Sequence, residues 1–238
     1  MFATTRWTLI LNAAGSAGSE GTVARTALAE LCQAYWFPLY AYARRSGYGV
    51  ADAEDLTQGF FARLLRLDSL AGVRREHGRF RSFLLAAMKN YMADERDRQT
   101  ARKRGAGVTL SLDSLNAAGR RYDAEPRDHL TPERFFERQW ALALLERVVE
   151  RLYNEYVAAG KEALFMLLRF TITGDEEKLP YEALGRKLGT TPEAARVAAH
   201  RLRKRYRELL REEIAQTVDN PAEVEAELAA LRKVLSSP

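Results

Sequence analysis

The chain has 238 residues, 47% of them hydrophobic, with 37 Lys and Arg against 32 Asp and Glu for a net charge of +5. That apolar share is enough to build cores and excludes a disordered chain, while so small a basic excess speaks for a polyanionic partner only where it is concentrated. The lone cysteine, Cys32, excludes an intrachain disulfide and fits a cytoplasmic location, and no run of about 18 apolar residues is present to span a membrane.

Met1 to Asn12 contains one Arg and no long apolar stretch, so a secretion signal is not expected there. Beyond it, Gly and Pro are sparse and apolar residues recur every three or four positions, the helical period. The expected class is all-α: two small helical domains joined by a linker, the C-terminal one containing a helix-turn-helix. Residues 1–104 are expected to form the first domain, 105–131 the linker, 132–216 the second domain and 217–238 a C-terminal amphipathic helix.

Gly15 to Gly21 reads as a loose leader. Helical pattern begins near Val23, with Ala27, Leu28, Leu31, Tyr35, Leu39 and Tyr42 on one face and Pro38 as a kink or restart. Asp52 is placed to cap a second helix carrying Leu56, Phe60, Phe61, Leu64 and Leu65. Leu67 to Arg79 reads as a loop, and a strong helix follows from Phe80 to about Arg98. Gly105 to about Pro132 loses periodicity; its Val108, Leu110, Leu112 alternation is read as linker rather than strand. Thr131-Pro132-Glu133 opens the second block, with Trp140, Leu144, Leu145, Val148 and Leu152 inward. Further helices are expected over Lys161 to Phe170, Tyr181 to Leu188 and Pro192 to about Ile214. Asn220-Pro221 starts a last helix with Val224, Leu228, Leu231 and Leu235 on one stripe.

The sharpest local pattern is Leu179 to Leu210. Tyr181, Leu184 and Leu188 make one apolar face, Gly189 suits a left-handed stop, Thr191 caps the next helix and Pro192 fits its first turn. Ala195, Ala199, Leu202 and Tyr206 bury one side, the two alanines permitting close crossing. The other side carries Arg196, His200, Arg201, Arg203, Lys204 and Arg207, and Pro192 to Glu212 holds seven Arg/Lys against three Glu. Charge alone describes any solvated helix face; with the turn and caps, the pattern points to a recognition helix for the DNA major groove.

A second basic concentration runs from Arg74 to Arg104, with ten Arg/Lys against four acids and with Phe80, Phe83 and Tyr91 interleaved. Cations follow a phosphate backbone and exposed aromatics stack unpaired bases. The helical spacing of Phe80, Phe83 and Tyr91 favours a core for at least two of the three. Asp52, Glu54 and Asp55 cluster at a helix start, either complementing the helix dipole or forming a docking surface.

Asp52-Ala-Glu-Asp-Leu-Thr-Gln58 with Phe60 and Phe61, then Phe80-Arg-Ser-Phe-Leu-Leu85 with Asn90 and Asp94, then Pro180-Tyr-Glu-Ala-Leu184 with Arg196, His200, Arg201 and Arg203 to Arg205, stand in one order along the chain. Together they resemble the extracytoplasmic-function sigma factors of the sigma-70 family, over about Leu28 to Ile214. The resemblance implies a non-enzymatic RNA polymerase subunit that recognises and melts promoters. Its implied partners are core RNA polymerase, through the beta-prime clamp and beta flap, and promoter DNA; an anti-sigma factor or other regulator is a further candidate. It implies polymerase contacts at Asp52, Asp55, Gln58 and Phe61. Minus-ten contacts follow at Arg74, Arg79, Arg81, Lys89, Asn90 and Arg96, where extruding a base costs a few kcal/mol. Minus-thirty-five contacts follow at Thr191, Arg196, His200, Arg201, Arg203 and Lys204. The chain departs from the pattern at Ala198, where relatives often carry a base, at Phe83 in place of the usual Trp, and in a long linker, a leader and a tail.

No catalytic residue, metal site or cofactor is expected. His77, His129 and His200 are far apart and lack metal-ligand spacing, and Gly15, Gly18 and Gly21 have neither a preceding strand nor a following Lys-Ser/Thr. Cys32 reads as core. The alternative reading is a stand-alone helix-turn-helix regulator of duplex operators, whose first half would need a ligand pocket.

Overall fold

A computed structural model describes residues 19–65, 79–103, 121–122, 130–173, 180–218, 220 and 222–236. The described residues are nearly all helical: α1 Ser19–Arg45, α2 Val50–Leu64, α3 Phe80–Lys103, α4 Pro132–Ala158, α5 Glu162–Leu168, α6 Phe170–Thr173, α7 Tyr181–Leu188, α8 Pro192–Ala215 and α9 Ala222–Ser236. Among them the sole strand-like pairing is an isolated antiparallel bridge between Arg79 and Val218. The Val108–Leu112 run and most of the expected linker lie outside the described residues.

Two compact units emerge, Met1–Ala143 together with Ile214–Pro238, and Leu144–Glu213. These bounds differ from those expected at 132 and 216. Aromatic burial is the reason. Phe135, Phe136 and Trp140 at the start of α4 are buried in the first unit, where Phe136 meets the Tyr42 ring edge-on and Trp140 Nε1 donates to the Tyr35 hydroxyl at 3.1 Å. Part of the expected linker is also anchored: Tyr122 packs edge-on against Tyr40 and Phe135.

In the first unit α1, α2 and α3 pack around Leu28, Leu39, Tyr40, Phe60, Phe80, Leu84 and Met88, all essentially inaccessible. α1 starts at Ser19, before the expected Val23, and passes through the buried Pro38 without a restart. The missing N–H of one interior proline is outweighed by the burial of its neighbours Leu39, Tyr40 and Ala41. α2 starts at Val50 on the extended Gly49, so Asp52 sits in the first turn rather than at the cap. α9 is also turned relative to expectation: Val224 and Leu231 are buried, but Glu227 is 1% exposed and Leu235 is 42% exposed.

The second unit has its own core of Val148, Leu152, Phe165, Leu168, Leu184, Ala195, Ala199, Leu202 and Leu209. Tyr153 and Tyr156 flank Phe165 with ring centroids 5.3 and 5.8 Å away. Polar clamps close it: Arg205 pairs with Glu155 at 2.7 Å and Glu212 at 3.1 Å, and Arg151 pairs with Glu213 at 3.0 Å.

Candidate nucleic-acid interface

α7 ends where its sequence stops favouring a helix. Gly189 takes the left-handed conformation (φ 63°, ψ 33°), and the Thr190 N–H returns to the Gly185 carbonyl at 2.8 Å. The turn folds so tightly that a Cβ on Gly185 would lie 2.9 Å from the Thr190 carbonyl oxygen and 3.0 Å from the Pro192 nitrogen. α8 then starts on Thr191, whose Oγ1 accepts from the Ala194 N–H at 3.1 Å, as the sequence predicts. Thr191 thus acts as a cap.

Burying Ala195, Ala199 and Leu202 fixes the opposite face of α8 outward. Arg196, His200, Arg201, Lys204 and Arg207 are exposed there, and Arg203 is half-buried. The Arg196 guanidinium lies 5.3 Å from the Tyr181 ring centroid, a cation–π contact that orients it from α7. Arg205 points the other way: hydrogen bonding to Glu155, with Glu212 and Glu208, holds it even more firmly protonated, and it does not belong to the outward row. The expected second-unit residues therefore come together on one cationic face, at the spacing of successive turns. Arg201 differs from the rest in also lining a groove of about 470 Å³ with Tyr156, Leu164, Val197 and Ala198.

The expected first-unit residues divide. Asp52, Asp55 and Gln58 are exposed along α2. Phe61 is buried rather than outward: it is 8% exposed and meets Phe60 edge-on, because it falls on the core stripe of α2. Arg81 also departs from expectation. It is 7% exposed, its Nε lies 3.0 Å from both Glu227 carboxylate oxygens, its Nη1 lies 2.8 Å from Glu137, and its guanidinium covers the Trp140 ring. Burial lowers its proton affinity, but the two carboxylates more than restore it. Arg79 pairs with the same Glu227 at 3.3 Å. Lys89 pairs with Glu133 at 2.8 Å, which raises the lysine and lowers the glutamate pKa through their hydrogen bond. Arg96 is exposed, 3.4 Å from the Tyr48 hydroxyl. Arg74 lies outside the described residues.

Phe80 and Phe83 are core, while Tyr91 is half-buried against Phe60. Asn90 is exposed and opens onto a groove of about 210 Å³ with Phe60, Arg63, Phe83, Tyr91 and Asp94. Arg63, paired to Asp94 at 2.9 Å, was not singled out by the sequence. Glu227 was missed as well, although an acid between Val224 and Leu231 on the inward stripe was its signal. Among the described residues no cluster of three or more His, Cys, Asp or Glu is arranged to hold a metal ion, and no helix is long and apolar enough to cross a membrane. In comparison with known proteins, no family model, no curated protein and no solved structure matches the chain.

Proposed function

We propose that the chain is a cytoplasmic sigma factor of the extracytoplasmic-function type, which gives RNA polymerase its promoter specificity and performs no bond chemistry itself. The observation that carries this reading is the α7–turn–α8 unit, read as a helix-turn-helix. Its cap, left-handed stop and close crossing leave Arg196, His200, Arg201 and Lys204 outward on one helix, with Arg203 half-buried at the edge. Such a row suits phosphates and guanine edges in a major groove. The exposed Asp52, Asp55 and Gln58 on α2 suit a basic surface of the polymerase clamp. The Asn90 groove with its Tyr91 wall suits a base drawn out of the stack.

A stand-alone duplex-binding regulator is the second reading. The pairing of Arg79, Arg81 and Lys89 with carboxylates favours it, because those cations are engaged within the first unit. Purified core polymerase separates the two. The sigma reading expects co-elution with core and transcription from a cognate promoter in vitro, both reduced by Asp55→Ala with Gln58→Ala. Duplex binding without any association with core would leave only the regulator.

A further inference from the structure

We infer that α9 is a detachable latch, in which the Glu227 carboxylate holds the place of a nucleic-acid phosphate against Arg79 and Arg81. The inference rests on reading the start of α3 as a surface for opened DNA, and it names the regulation of that surface. Two features at the start of α3 would attract a phosphate: a guanidinium pair, and the Phe80 N–H at the helix start, the N–H groups of Ser82 and Phe83 being taken by the Arg79 carbonyl. The C-terminal segment fills both. Glu227 accepts from Arg81 Nε through both oxygens at 3.0 Å and pairs with Arg79 at 3.3 Å. The Phe80 N–H, at the first residue of α3, donates to the Thr217 carbonyl at 3.0 Å, beside the Arg79–Val218 bridge.

The attachment has the character of a reversible contact. A helix meant to stay in a core would carry an apolar residue at 227, between Val224 and Leu231. Instead the buried residues of α9 are Val224, Glu227 and Leu231, with Leu228 and Val234 half-buried beside them and Leu235 turned outward. One carboxylate oxygen of Glu223 is buried with no hydrogen-bond partner among the described residues, which penalises the docked position. A helix of 15 residues is marginal on its own, so release and melting would go together. The start of α4 also buries an amide without a hydrogen-bond partner among the described residues, that of Gln139, but three aromatics, Phe135, Phe136 and Trp140, hold it in place, and α9 has none. When α9 leaves, Glu137 and Trp140 keep Arg81 in position while Arg79, already one-third exposed, is freed. A phosphate arriving there replaces one anion by another.

Two full-length variants and the native chain test this with a short fluorescent single-stranded oligonucleotide. Glu227→Gln removes the carboxylate; Leu231→Asp loosens α9 while adding negative charge. The latch expects both to bind the strand about tenfold more tightly, with a salt dependence steeper by one or two charges. Simple charge arithmetic instead expects Leu231→Asp to bind more weakly, and that result overturns the latch. In the native chain, amides of Ala222–Ser236 should lose hydrogen-exchange protection when the strand binds; unchanged protection also overturns it. Equal binding by all three forms removes the latch and leaves the polymerase reading standing. Absence of single-strand binding by every form removes both the latch and the opened-DNA reading of α3, while association with core polymerase still judges the sigma assignment.

Discussion

Single atoms decide two positions. At Gly185 any side chain would press on the backbone of Thr190 and Pro192 rather than on a movable side chain. Gly185→Ala should therefore destabilise the second unit by about 1–3 kcal/mol, the usual range for overpacking, and lower the urea midpoint without removing helical signal. A midpoint equal to that of the native chain would show that the turn has room. Cys32 illustrates the opposite case, where burial alone decides. Its thiol is 5% exposed and burial pushes its pKa up to about 12. Because the thiolate is the reactive form, a thiol reagent at neutral pH should label Cys32 only as fast as the protein unfolds. Rapid labelling of the folded chain would contradict that packing.

At the scale of the element, α8 performs two tasks with one sequence. Ala195, Ala199 and Leu202 seat it, and the residues between them carry the charge outward. Under the proposed function Arg196→Ala and Lys204→Ala should each weaken duplex DNA binding and flatten its salt dependence by about one charge. Arg205→Ala should leave that slope unchanged, because its guanidinium is committed to Glu155 and Glu212, and should instead lower stability. Titrating binding against salt for the three variants checks the assignment; an equal loss of slope in all three would show that the two faces of α8 are not distinct.

For the whole molecule, acid is a common stress on both units. Glu133 in the first unit and Glu155 in the second have their pKa values lowered, each chiefly by the hydrogen bond from its cation, Lys89 and Arg205. A carboxyl whose folded pKa lies below its unfolded value near 4.5 contributes stability above that pH and loses it as pH falls through the folded value. Both pairs are substantially exposed, so each contribution is small. The urea midpoint should hold from neutral pH down to about 4.5 and fall below it. Glu155→Gln should flatten the decline in the second unit, and an unchanged decline would assign acid sensitivity to other groups.

Much of this protein was legible along the chain. The period of three and four foretold helices, and the Gly189, Thr191 and Pro192 punctuation foretold the end of α7 and the start of α8, since caps and stops are local chemistry. The cationic face of α8 was legible for the same reason: once its buried residues are known, one helix sets the direction of all the others. Local pattern could not tell that Arg81 faces inward, that the start of α4 joins the first unit, or that α9 turns Glu227 toward Arg79 and Arg81. For Arg81 the deciding partners lie 56 and 146 residues away along the chain, at Glu137 and Glu227. Burying a charge is tolerable only where another element supplies its opposite, so in the first unit tertiary packing decided that Arg81 left the surface.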